Sequence, residues 1–284
     1  MSAFSVAIDE RLRLVTAVFA ASHWPLEEQN QLTHAVHPHA KQVRQFMLPF
    51  TSHPAVNGAN EACLNRVALA DLFSAAPRCT WPEFIPQEAL PRVLKIQEWV
   101  QSLPDFATKT AVSTDFWPQH TAVWQNATFA LEKIFETGDL RQALAQVGEV
   151  MDTAVTLMPN LVFPALTPIV ATSTSALTLL LPPPKAVGES PPWPFDEDPG
   201  WVVATVAKQL VPHLLATELA QLPTEQQPIA THLAAAHCLA TLLDDFEAQA
   251  YLLRAKKEHN LPQLPALFAQ LQAGETYTLT WSAG

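Results

Sequence analysis

Glycine is scarce in this chain, at 7 residues, so reversals fall to 25 prolines and to Asn, Asp and Ser turns. Charge is scarce too. The charged fraction is 15%, well under the usual ~25%. Hydrophobic residues fill 49% of the 284 positions, which excludes a disordered chain and supplies a sizeable core. Basic charge is in the minority, with 16 Lys and Arg against 27 Asp and Glu and a net charge of −11. No basic stripe is present, which argues against a nucleic-acid partner. The three cysteines, Cys63, Cys79 and Cys238, are widely spaced and form no C-x-x-C pair. That excludes a disulfide framework and a zinc–thiolate centre, and buried, idle thiols are expected. The first residues lack a charged-then-apolar signal pattern. The longest apolar-rich run, residues 161–181, is interrupted by Pro164 and Pro168, so no membrane span is expected. These absences predict a soluble, cytoplasmic protein with no membrane partner.

What is present is mostly helical periodicity. Residues 4–8 alternate as a short strand, and Asp9 opens a helix that Trp24-Pro25 ends. A second helical stretch, 26–50, is interrupted at Pro38. Helices are further expected at 58–74, 86–103, 117–135 and 140–150, with Pro104 breaking the second of these. Residues 160–166 and 176–181 read as strands. A proline-dense loop, 182–195, then leads to helices at 198–221, 229–257 and 261–271 and a terminal strand at 276–281. The predicted class is α+β, predominantly helical, with a small sheet packed on one key helix and a helical C-terminal part. The loop is the one plausible boundary, dividing 1–195 from 196–284 within what reads as one integrated domain.

The key helix is 198–221. Asp198 suits its cap and Pro199 its first turn. Gln209 and His213, four apart, share a face at the spacing by which a helix offers two ligands to one metal ion. Strands, a loop, this helix and then a helix carrying acids follow the order of zinc-peptidase folds. Other stretches add to the likeness: I-D-E-R-L-R-L-V-T-A-V near the start, F-M-L-P-F-T-S-H-P-A-V at 46–56, and L-P-D-F-A-T-K-T-A-V-S-T-D-F-W-P-Q-H at 103–120. With these, roughly residues 5–255 resemble an uncharacterised bacterial family of predicted zincin-type metallopeptidases.

The resemblance implies an H-E-x-x-H motif on the key helix, with a downstream acid as third zinc ligand. Aligned on His213, the first ligand position is Gln209 and the general-base position is Leu210, with Asp244 or Glu247 as the downstream acid. Glutamine is a weak neutral ligand, and leucine removes a base worth ~10²–10⁴-fold. Pro212 removes a backbone donor inside the helix. The expectation is a catalytically inactive, zincin-like protein that binds a peptide or protein partner, with no cofactor. An alternative is an active hydrolase with a rearranged zinc site from His213, Glu247 and His237; a second alternative is an interaction domain unrelated to peptidases.

Other candidates are weaker. His34, His37 and His39 are read as a solvated helix face rather than a metal site. His23 and His53 read as turn features, and His213 as a partly buried, hydrogen-bonded histidine. His232 and His237, five apart, point about 140° away from each other, and Glu218 joins His213 and His237 only if two helices converge. Trp81, Trp117, Trp193 and Trp201 are read as core and loop anchors, or else a binding surface. No G-x-S-x-G motif or phosphate loop is present.

Overall fold

The computed structural model describes residues 4–136, 138–185 and 190–274. The chain opens with strand β1 (Phe4–Val6) and helix α1 (Glu10–Ala21). Asp9 caps α1, its carboxylate accepting from the Arg11 and Leu12 amides. Every residue from Leu12 to Ala21 is buried, so α1 is a central helix rather than a surface one. Trp24 opens α2 (Trp24–Gln31), followed by α3 (Pro38–Met47), α4 (Pro54–Leu64) and α5 (Leu69–Ala75). The single helix expected over 58–74 is split where Arg66 takes a left-handed backbone, φ 57°.

Residues 86–95 hold no regular helix, and α6 (Ile96–Thr110) runs through Pro104. The buried positions Trp99, Val100, Leu103, Phe106, Ala107 and Thr110 keep helical spacing across the proline. Packing of that face outweighs the one lost backbone bond. Next come α7 (Thr121–Phe135) and α8 (Leu140–Ala145), then β2 (Ala154–Pro159), β3 (Ile169–Thr172) and β4 (Ala176–Leu181). The strand expected at 160–166 is absent. There the Val162 amide donates to the Asn160 side chain, and the Ala165 and Leu166 amides donate to the buried Glu28 carboxylate. Amides engaged by side chains cannot join a ladder.

The last helices are α9 (Pro199–Leu214), α10 (Ala216–Ala220), α11 (Gln227–Leu242), α12 (Asp245–Glu258) and α13 (Leu264–Gln272). The single helix expected over 229–257 is divided because Asp244 turns its side chain onto the Glu247 amide, 2.9 Å, and caps a new helix. The strand expected at 276–281 lies outside the described residues.

The protein is α+β and mostly helical, with a four-stranded sheet in the order β1-β2-β4-β3. β3 and β4 are antiparallel, with Ile169 opposite Leu180 and Thr172 opposite Leu177. The chain forms two compact units: Ser5–Ala130 with Val155–Phe195, and Leu131–Ala154 with Asp196–Gly284 and Met1–Phe4. In the first, α1 packs on α2, α3 and α4, and α5 packs on β3. In the second, α11 is the hub, packed on α8, α9, α12 and α13. Among the described residues no helix is long and apolar enough to cross a membrane.

Candidate functional site

α9 forms as its sequence predicts. Asp198 accepts from the Trp201 amide at 2.9 Å, and Pro199 fills the first turn. The helix continues through Pro212, which is exposed. Val202, Val203, Val206, Ala207, Leu210, Val211 and Leu214 form the buried face. Leu210, which the zincin resemblance aligns with a general base, is 0% exposed. Gln209 and His213 are half-buried. His213 makes no side-chain hydrogen bond among the described residues, contrary to expectation, and burial lowers its pKa.

The acids expected beside His213 lie elsewhere. The Glu247 carboxylate sits against the α carbon of Gly200, where a side-chain carbon would collide with it. Gly200 is in the first turn of α9, and His213 in the last, roughly 20 Å further along the axis at 1.5 Å per residue. Asp244 is engaged as the α12 cap. His237 Nε2 meets Gln146 Oε1 at 3.1 Å, and Glu218 accepts from the Glu149 amide. The residues proposed for a rearranged metal site are thus dispersed. Among the described residues no three His, Cys, Asp or Glu side chains are placed to hold a metal ion. The side chains present do not fit a zinc centre on α9.

A different stripe of α9 faces a cavity of about 380 Å³. Trp201, Ala204, Thr205 and Lys208 line it from α9, His232 from α11, and Tyr251, Arg254 and Glu258 from α12. This stripe lies about 100° around the helix from Gln209 and His213. Its chemical centre is His232, whose Nδ1 is 2.6 Å from the Tyr251 hydroxyl and whose ring lies 4.7 Å from that of His259. Burial, with His259 and Lys208 nearby, lowers the His232 pKa to about 4. Burial raises that of Tyr251. Neutral histidine and neutral tyrosine therefore share one proton-bearing contact at pH 7. Sequence reading separated His232 from His237 correctly, but the Tyr251 partner comes from a neighbouring helix and no local spacing announces it.

The first unit contains a second cavity, about 330 Å³, between α4 and α6. Val67, Leu72, Ile96 and Trp99 give it an apolar floor. Leu94 on its rim is 72% exposed and Leu64 nearby 78%. Lys95 is held by Glu61 at 2.6 Å, and Glu98 acts on the same ammonium through its charge alone.

The histidines near the start also depart from expectation. His39 is buried, not solvated, and its Nε2 accepts from Trp124 Nε1 at 2.9 Å. His37 caps α3 through Nδ1. His53 does the same for α4, as a turn feature should, and also meets Asp105 at 2.9 Å. Of the four tryptophans, Trp117 is buried and stacks on Trp81, while Trp193 is exposed. Comparison with protein-family models, with curated protein sequences and with solved structures finds no match.

Proposed function

We propose that the chain is a zincin-like protein without hydrolytic chemistry that works by capturing a peptide segment of a partner protein. The carrying observation is Leu210, fully buried at the position where a general base must reach water. The separation of Glu247 from His213 along α9 supports the same reading, since no third ligand stands near the first. The α4–α6 cavity suits an apolar anchor residue, and its size is within the usual range for ligand pockets. Glu98 on the rim favours a lysine or arginine flanking that anchor.

Peptides selected by display on the purified protein, then remeasured by fluorescence anisotropy, provide the test. The expected result is enrichment of an apolar residue beside a basic one, with saturable binding weakened at least about 10-fold by Leu94→Asp. Leu94 is exposed, so the substitution leaves the fold in place. Metal analysis runs in parallel. About one tightly held zinc per chain, lost in His213→Ala and accompanied by peptide hydrolysis, overturns the reading.

A further inference from the structure

His232 is buried, at 6% exposure, yet only one of its ring nitrogens is engaged by the protein. Nδ1 meets the Tyr251 hydroxyl at 2.6 Å. A phenol is the more acidic of the two donors, so the hydroxyl donates to Nδ1 and the imidazole proton sits on Nε2. Nε2 makes no hydrogen bond among the described residues, and it is not one of their enclosed unpaired atoms. His232 lines the cavity of about 380 Å³ bounded by α9, α11 and α12. Its Nε2 proton therefore opens onto that space.

The surroundings of this proton are basic. The charged neighbours that act on His232 are His259, when protonated, and Lys208. Lys208 is half-buried on the α9 wall, and Arg254 lines the cavity from α12. Neither cation takes part in the ion pairs formed among the described residues. Lys95, Lys109 and Lys133, by contrast, each hold a carboxylate within 3.1 Å. Two acids also line the cavity. Asp198 is committed to the Trp201 amide at 2.9 Å, and it stands roughly 15 Å along α9 from Lys208. Glu258 is exposed on α12, and its charge acts on Tyr251.

The donors at the His232 end come from three helices. Lys208 belongs to α9, His232 to α11, and His259 to the C-terminal cap of α12, its ring 4.7 Å from that of His232. Donors converging from three directions suit a tetrahedral oxyanion, whereas a carboxylate offers two oxygens in one plane. Two unpaired cations also match the charge of a phosphate monoester, about −1.5 to −2 at neutral pH. The cavity holds more than one small anion, and its volume suits a small organic molecule. Trp201 supplies an aromatic surface on the same stripe, roughly 10 Å before Lys208 along the axis, with the small Ala204 between them.

We infer that this cavity binds a phosphate group, free or carried on a small aromatic molecule, with the phosphate at Lys208, His232 and His259 and any ring directed towards Trp201. The inference concerns the second unit alone and does not rest on the peptide-capture reading.

The test follows the imidazole resonances of ¹³C-histidine-labelled protein in phosphate-free buffer at pH 7.5, during titration with phenyl phosphate, inorganic phosphate and benzoate. The His232 resonance is identified by its contacts to the Tyr251 ring. The expected result is a saturable shift of that resonance by a phosphate, with benzoate binding about 10-fold more weakly or worse. Tighter binding of phenyl phosphate than of inorganic phosphate assigns an aromatic monoester; equal binding assigns the free ion. Lys208→Gln weakens phosphate binding about 10-fold or more, because a charge-assisted hydrogen bond is lost. Should that variant fail to fold, Glu258→Gln serves instead, at an exposed position, and tightens binding about 2- to 5-fold by removing a negative charge from the cavity wall. A His232 resonance unmoved by both phosphates through the millimolar range overturns the proposal, as does benzoate binding as tightly as phenyl phosphate. Unchanged affinity in folded Lys208→Gln, or in Glu258→Gln where the first variant does not fold, overturns it too.

Discussion

Glu247 owes its position to electrostatics that need no metal. Its carboxylate lies against the first turn of α9, where amide groups carry partial positive charge. A negative side chain there stabilises the helix by ~0.3–1 kcal/mol. Glu247→Gln is therefore expected to lower stability by about that amount in urea titration and to leave metal content unchanged. A loss of bound zinc in this variant would return Glu247 to a ligand role. Gly58 makes a similar point in the other unit. A β carbon there would come within 2.7 Å of Trp99 Cδ1, and Trp99 is fixed by its bond to the Ala55 carbonyl at 2.9 Å. Gly58→Ala forces the indole off its rotamer at a cost of about 1–3 kcal/mol. It should depress the thermal midpoint and reshape the α4–α6 cavity floor; an unchanged midpoint would mean the indole moves freely.

At the scale of elements, α9 was legible in nearly every local detail. Asp198, Pro199 and the spacing of Val202, Val206, Leu210 and Leu214 fix its start and its buried face. Its partners were not legible, because the register of α12 against it depends on where Asp244 breaks the preceding helix. A two-residue interruption decides that Glu247 meets Gly200 rather than His213. The β2–β3 region failed for a related reason. Residues 160–166 carry strand-like side chains, but Glu28, far off in sequence, claims their amides. The His232 cavity was hidden because its lining side chains come from three different helices. These placements bear on the motif that the zincin resemblance implies. The double change Gln209→His and Leu210→Glu writes in the letters of that motif but buries a carboxylate at a fully enclosed position. The expected outcome is a loss of several kcal/mol, on the order of 3–5, with no gain in zinc affinity by calorimetry. Tight zinc binding by the folded variant would show that a third ligand is within reach after all.

Over the whole molecule, buried titratable groups confine stability to a window of pH. Burial lowers the pKa of His37, His39, His213, His232 and His237, that of His39 to about 3 and of His232 to about 4. The unfolded chain takes up these protons near pH 6.5 and the folded chain resists them. Their contribution is complete above about 6.5 and is lost as pH falls towards 4. At the other end, burial raises Cys63 and Cys79 to about 11 and raises Cys238 and Tyr251 as well. The unfolded chain releases those protons from about pH 9 upward and the folded chain keeps them, so stability declines again on the alkaline side. Urea midpoints measured from pH 4.5 to 10.5 should trace a plateau between roughly pH 6.5 and 9 with a fall on each side. His232→Gln should lower the plateau by removing the Tyr251 contact and make the acid limb shallower, because one resisting proton is gone. An acid limb of unchanged slope would show that His232 protonates freely in the folded protein, and with it that the His232–Tyr251 contact does not hold the imidazole neutral.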